Sequence, residues 1–345
     1  VKTVRIIVAG AGAIGSAIGG YLADEGFPVV LIARPVHVEA IRARGLVLQT
    51  PRGGLRPVVS AVSAPAEVSF GPGDILFLAC KSQDTRALLA QLDAPRDTPV
   101  FCFQNGVRNE EWAAARFARV YGAVPWFSVN FLGPGSVEHT VRNGLVLGAY
   151  PSGLDSLAEE LAGAFRAAGF EVPLHPRVMS HKWGKLIVNL NNALYPLVDT
   201  WQQWAYSDPE ICNFMAETMR EGLAVLTAAG IEALIWPGDQ PVQNFIDETA
   251  SGALAPFYPN ARELPPEKRS YPSTWQDVRL GRPTSEVDYF NGEIVELARK
   301  VGVSTPYNTT LVDLMRVLLS KKASPGLFTL AEVVARVREA SRAPS

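Results

Sequence analysis

The sequence is poor in residues that staple, ligate or anchor a chain. Three cysteines in 345 residues, Cys80, Cys102 and Cys212, are too few and too far apart for a disulfide framework or a thiolate zinc site. Two of them sit inside apolar runs, where a thiol serves as a small buried hydrophobe. The four histidines, His37, His139, His175 and His181, show no metal-ligand spacing, and no metal is expected. Neither sign of charge dominates. With 32 basic and 34 acidic side chains the formal charge is −2, which gives no footprint for nucleic acid or an anionic membrane. Long uncharged runs are scarce as well. Residues 6–23 carry five glycines, and residues 120–137 are broken by Pro125, Asn130, Gly133 and Pro134, so neither reads as a membrane helix. A cytoplasmic chain acting on a small molecule is expected, with a second copy of itself the one macromolecular partner left open.

What is present is ample apolar material. Hydrophobic residues make up 48% and charged residues 19%, which excludes a disordered chain, and the length suits two domains. The first half alternates short apolar runs with helical patterns, as βαβ units do. Strands are expected at Val4–Ala9, Pro28–Ala33, Ile75–Cys80 and Val100–Phe103, with helices at Ala13–Asp24, Asp84–Leu92 and Asn109–Phe117. Asn143–Gly144, between Val137–Val141 and Leu145–Leu147, predicts a two-residue hairpin. A helix over Leu154–Ala168 and a strand over Glu171–Leu174 follow. Beyond residue 177 strand signals fade, and helices are expected at Val178–Leu194, Pro209–Ala229, Glu286–Val301, Thr309–Ser320 and Leu330–Ser341. Seven prolines within Pro237–Pro272 mark a long, partly irregular insertion.

Gly10-Ala11-Gly12-Ala13-Ile14-Gly15 is G-x-G-x-x-G between a strand and a helix. Gly10 permits the tight turn, Gly12 lets a pyrophosphate approach the backbone, and Gly15 lets helix and strand pack closely. The helix N-terminus then offers free N–H groups to the phosphates. An α/β architecture follows: a Rossmann-type dinucleotide-binding domain over residues 1–176, then an all-helical domain over residues 177–345. Where an NAD enzyme carries an acid for the ribose 2′-hydroxyl, the second strand ends in Arg34, with Arg42 and Arg44 nearby. A guanidinium suits a 2′-phosphate, so NADP(H) is the expected cofactor.

Ligands of such sheets bind beyond the carboxyl ends of the strands. Lys81 stands there to meet phosphate or a substrate carboxylate, and Asn105 to meet substrate or the nicotinamide ribose. Each also has a plain alternative, an exposed loop lysine and Asn-Gly turn chemistry. Further on, Lys185, Asn189 and Asn192 fall at i, i+4 and i+7, on one face of a largely apolar helix.

These residues together resemble one family. Gly10-x-Gly12-Ala13-Ile14-Gly15, Lys81, Asn105-Gly106, Lys185-x-x-x-Asn189, Ser273 and Glu286-Val287-Asp288-Tyr289-Phe290-Asn291-Gly292 stand in the order found in ketopantoate reductases (2-dehydropantoate 2-reductases), from about residue 4 to 320. The resemblance implies NADPH reduction of a 2-keto acid to the 2-hydroxy acid. It implies Lys185 as general acid, Asn189 and Ser273 as substrate contacts, and Glu286 binding the hydroxyl or orienting Lys185. The sequence departs from the family where a second asparagine often stands four residues after the first: residue 193 is Ala and the later Asn is Asn192. Another two-domain dehydrogenase of the opine or hydroxy acid type, or an NADP-binding sensor without chemistry, are the competing classes.

Overall fold

The computed structural model describes residues 4–140 and 144–342. The chain divides into two compact units, Val1–Lys182 and Trp183–Ser345.

In the first unit, β1 (Arg5–Ala9), α1 (Ala13–Asp24), β2 (Val29–Ile32) and α2 (Pro35–Arg44) lead into β3 (Val47–Thr50), β4 (Gly53–Leu55) and β5 (Ser60–Val62). Then come β6 (Asp74–Leu78), α3 (Ser82–Gln91), β7 (Val100–Cys102), α4 (Asn109–Ala114), β8 (Val120–Trp126), β9 (Val129–Gly133), β10 (Ser136–His139), β11 (Gly144–Ala149) and α5 (Ser156–Ala167). Seven strands form one sheet in the order β11-β8-β7-β6-β1-β2-β5, parallel throughout except for β11 against β8. From β5 to β8 this is the third, second, first, fourth, fifth and sixth strand of the sheet, the Rossmann order. The order reverses between β1 and β6, and such a reversal opens a crevice beyond the strand ends.

Apolar runs dictate this sheet. Ile6, Ile7, Val8 and Ala9 in β1, and Leu76, Phe77 and Leu78 in β6, are fully buried, as strands covered on both faces require. Each large side chain so buried contributes about 1.5–3 kcal/mol. Arg5 closes the amino-terminal edge with a two-pronged pair, Nε to Asp74 Oδ1 at 2.9 Å and Nη2 to Oδ2 at 2.6 Å.

Four further strands form a second sheet, β4-β3-β10-β9, that the hydrophobic pattern does not announce. Here the hairpin expectation at Asn143–Gly144 fails. β10 pairs with β9 and β3, whereas β11 pairs with β8 in the other sheet. The hairpin that forms is β9–β10, turned by Gly133 and Gly135, both at positive φ; Asn143 itself lies outside the described residues. Glu171–Leu174 supplies isolated bridges to β11 rather than a strand.

The unit division falls within α6 (Val178–Asn189). The expected helix to Leu194 is broken: a 3₁₀ turn spans Leu190–Ala193 before α7 (Leu194–Val198). α8 (Gln202–Ala205), α9 (Pro209–Ala228), α10 (Val242–Ala250), α11 (Ser273–Arg279), α12 (Asn291–Val301), α13 (Pro306–Ser320) and α14 (Leu330–Ala340) complete the second unit. Its core includes Leu197, Met215, Leu311, Met315 and Leu318. The proline-rich stretch, expected to be partly irregular, contains α10 and three 3₁₀ turns. Two-residue strands at Leu234–Ile235 and Gln240–Pro241 are the sheet structure described in this otherwise helical unit. Among the described residues no helix is long and apolar enough to cross a membrane.

Candidate active site

The glycine turn sits at the β1/β6 reversal. Gly10 has φ +95°, and a Cβ there would lie 2.4 Å from the Cys80 backbone nitrogen, so only glycine fits. The amides of Gly10 and Ala11 donate to Ile32 O at 3.1 and 2.9 Å, tying the turn to the end of β2. Ala11 is buried and Gly12 exposed, with Ala13 and Ile14 half-buried. A Cβ on Gly12 would meet nothing within 4 Å. α1 starts there with no side-chain cap and no acid in its first turn, which leaves its N–H groups and positive dipole end for an anion.

Arg34 follows β2 and is exposed at the start of α2, its guanidinium carbon 6.0 Å from the centre of the Phe131 ring. Arg42 and Arg44 are turned to backbone, Arg42 Nε donating to Ala61 O at 3.0 Å and Arg44 Nη2 to Pro134 O at 3.4 Å.

Lys81 and Asn105, both half-buried, lie at the ends of neighbouring strands β6 and β7. Their backbones are stitched by buried polar groups. Ser82 Oγ donates to Asn105 O at 3.1 Å, and Asn109 Nδ2 donates to the same oxygen at 2.9 Å. Thr85 Oγ1 donates to Asn109 Oδ1 at 2.8 Å and accepts from Gln104 Nε2 at 3.2 Å. Burial pushes the adjacent Cys80 thiol up to about 11, so it is inert as a nucleophile at neutral pH. Sequence reasoning missed the anchor of this region, Lys182. Its buried ammonium donates to Cys102 O at 2.8 Å and Gln104 O at 2.7 Å, with Glu110 Oε1 at 2.8 Å.

In the second unit, Lys185 is half-buried on α6 and Asn189 is that helix's last residue. Gly184 fixes the helix beside them: a Cβ there would lie 1.9 Å from Leu234 O, so two backbones touch. The α period ends at Asn189, and a 3₁₀ turn carries the chain on to Asn192, so the continuous helix assumed for the i, i+4, i+7 face stops one turn short. Asn189 Nδ2 is buried and has no hydrogen-bond partner. Glu286 is 5% exposed and begins a 3₁₀ turn (Glu286–Tyr289) that packs against Leu190–Ala193. Ser273 is exposed as the first residue of α11, which packs against the same Leu190–Ala193 turn. Asn291 secures the helix break by donating to Leu190 O at 2.9 Å and to Asn308 Oδ1 at 3.0 Å. Asn308 Nδ2 in turn bonds Glu221 Oε2 at 2.9 Å, and burial raises the Glu221 carboxyl despite these bonds.

Comparison with known proteins meets this geometry at both units. The family model described as ketopantoate reductase PanE/ApbA matches residues 6–152, and its C-terminal counterpart matches residues 177–319. The chain belongs to the ketopantoate reductase family. The 2-dehydropantoate 2-reductase of Pyrococcus horikoshii is 31% identical over 316 residues, covering 90% of this chain and 96% of that protein. That of Pyrococcus abyssi is 30% identical over 314 residues, covering 90% and 97%. The crystal structure of a PanE/ApbA family ketopantoate reductase from Ralstonia eutropha superposes with a TM-score of 0.78 at 32% identity, covering 92% of this chain and 99% of that one.

Ketopantoate reductases are NADP-dependent oxidoreductases acting on a CH–OH group, and this chain is one by descent. Its residues fit the cofactor. The uncapped start of α1 and the open space over Gly12 suit a pyrophosphate, and Arg34 stands where an acid would have selected NAD.

Proposed function

We propose that this reductase converts ketopantoate, or a 2-oxo acid of the same size and charge, to its 2-hydroxy acid with NADPH, Lys185 acting as general acid. The observation that carries most weight is the unpartnered, buried Nδ2 of Asn189, on the helix that bears Lys185. A buried donor left unpaired costs about 1–3 kcal/mol, so a site that keeps one is built for an acceptor, here a substrate oxygen.

Gly10, Ala11, Gly12, Ala13, Ile14 and Gly15 would hold the pyrophosphate of NADPH, Arg34 its 2′-phosphate, and Lys81 and Asn105 its nicotinamide half. NADPH, when bound, would be the source of the hydride for the keto carbon. Negative charge then develops on the carbonyl oxygen, and the Lys185 ammonium stabilises it and transfers a proton, leaving a hydroxyl and a neutral amine that solvent reprotonates. Asn189, Asn192 and Ser273 orient the substrate without adding charge. The Glu286 carboxylate binds the nascent hydroxyl or keeps Lys185 charged.

Steady-state oxidation of NADPH, followed by absorbance with ketopantoate and a set of bulkier 2-oxo acids, tests this. The highest kcat/KM is expected with ketopantoate. A bulkier acid well ahead of it moves the substrate assignment, and no oxidation with any of them defeats the assignment of activity.

A further inference from the structure

Two lysines stand three residues apart in His181-Lys182-Trp183-Gly184-Lys185, and they differ in kind. Lys185 is half-buried, whereas Lys182 is 2% exposed and its charge faces Glu110, which is fully buried. A buried ammonium is costly unless every proton finds an acceptor. Lys182 finds two at the end of β7, the carbonyl of Cys102, which is in the last registered pair of β7 with β6 and β8, and that of Gln104, two residues beyond it. Unmet backbone carbonyls at a strand end need donors, and this side chain supplies them. The carboxylate of Glu110 balances the charge obliquely. Its Oε1 is close, but neither of its oxygens forms an aligned hydrogen bond, so the contact is coulombic.

The consequence falls on three residues. Gln104 O is held by Lys182, and Asn105 O is held by Ser82 and Asn109. Gly106 follows at φ +82°. The turn Gln104-Asn105-Gly106 is therefore pinned through its backbone on both sides of the Asn105 side chain. We propose that Lys182 and Glu110 are positioning residues, which fix this turn so that Asn105 meets the nicotinamide half of the cofactor. This rests on the cofactor placement proposed above.

Adenosine 2′,5′-bisphosphate carries the 2′-phosphate end of NADPH and no nicotinamide, so the two ligands separate the halves of the site. Affinities of the full chain for both, measured by titration calorimetry, are compared for wild type, Lys182→Met and Glu110→Gln, with folding checked by circular dichroism. Lys182→Met is expected to weaken NADPH about 10-fold, as for the loss of the hydrogen bond that Asn105 makes from a fixed turn, and the bisphosphate less than about twofold. Glu110→Gln keeps the side-chain shape but removes the countercharge, and the same pattern at smaller amplitude is expected. If Lys182→Met does not fold, Glu110→Gln decides alone. Equal weakening of both ligands, or unchanged NADPH affinity in a folded variant, overturns the proposal. A wild-type chain that binds neither ligand overturns the cofactor placement and this inference with it.

Discussion

His37 Nε2 lies 3.0 Å from Ser16 Oγ, beneath the glycine turn. The other ring nitrogen accepts the Gly135 amide at 2.9 Å, so Nε2 carries the proton and donates to Ser16, whose hydroxyl reaches Ala11 O at 3.3 Å. A neutral imidazole thus links the β9–β10 hairpin to the glycine turn. Burial, and then the charge of Arg34, hold the His37 pKa below the ordinary imidazole range. The folded chain therefore binds this proton less readily than the unfolded chain. His37 contributes stability above about pH 6.5, and that contribution is lost as pH falls through its lower folded value. His37→Asn should cost about 1–3 kcal/mol at pH 7.5, the range for buried partners left unpaired. The gap in Tm between wild type and variant should narrow toward pH 5. A gap that stays constant across that range would assign the linkage elsewhere.

Arg34 is an exposed cation at the end of β2, whereas Arg42 and Arg44 are turned to backbone carbonyls. Arg34→Ala should weaken NADPH by roughly 10- to 150-fold, as expected for a charge-assisted hydrogen bond of about 1.5–3 kcal/mol, and leave NADH nearly unchanged. Dissociation constants for the two nucleotides, compared side by side, check it. Equal losses would mean that the guanidinium does not read the 2′-phosphate.

How much of this was legible in the sequence depended on the range of the interactions. The glycine turn was, because its three constraints act within six residues and the helix follows at once. Lys185 and Asn189 were, because four residues place two side chains on one helical face. The register of Asn192 was not, since the break after Asn189 is secured at Leu190 O by Asn291, 101 residues further on. Lys182 was invisible for the same reason: its acceptors lie 80 and 78 positions earlier. The Asn143–Gly144 signal misled because a dipeptide reports a turn and not the partner of a strand. Gly133 and Gly135 made the competing turn, and β10 was taken into a second sheet by β3, nearly ninety positions earlier.

Lys185 bears the heaviest chemical claim. Lys185→Ala should lower kcat by about 100- to 10,000-fold, the range for a lost general acid, or about 3–5 kcal/mol of barrier. Because the residue is half-buried on a well-packed helix, Tm should change little. KM for NADPH should hold, since the proposed cofactor contacts lie on other residues. Turnover near that of wild type would remove Lys185 from this role.

Gly10 and Gly12 differ in what a methyl group would meet, and alanine at each separates folding from binding. At Gly10 the added carbon collides with the backbone of Cys80 and the residue is held at φ +95°. Gly10→Ala should therefore unfold at clearly lower temperature and lose cofactor affinity with it. At Gly12 the methyl group enters open space on the protein, at the place a pyrophosphate would occupy above the start of α1. Gly12→Ala should keep the wild-type Tm within about 2 °C, as surface substitutions do, while NADPH affinity falls at least about 10-fold. Thermal unfolding with and without NADPH records both quantities in one experiment. Wild-type protein should gain Tm on adding the nucleotide, and Gly12→Ala should gain little. A Gly12→Ala variant stabilised by NADPH as strongly as wild type would place the pyrophosphate somewhere other than this turn.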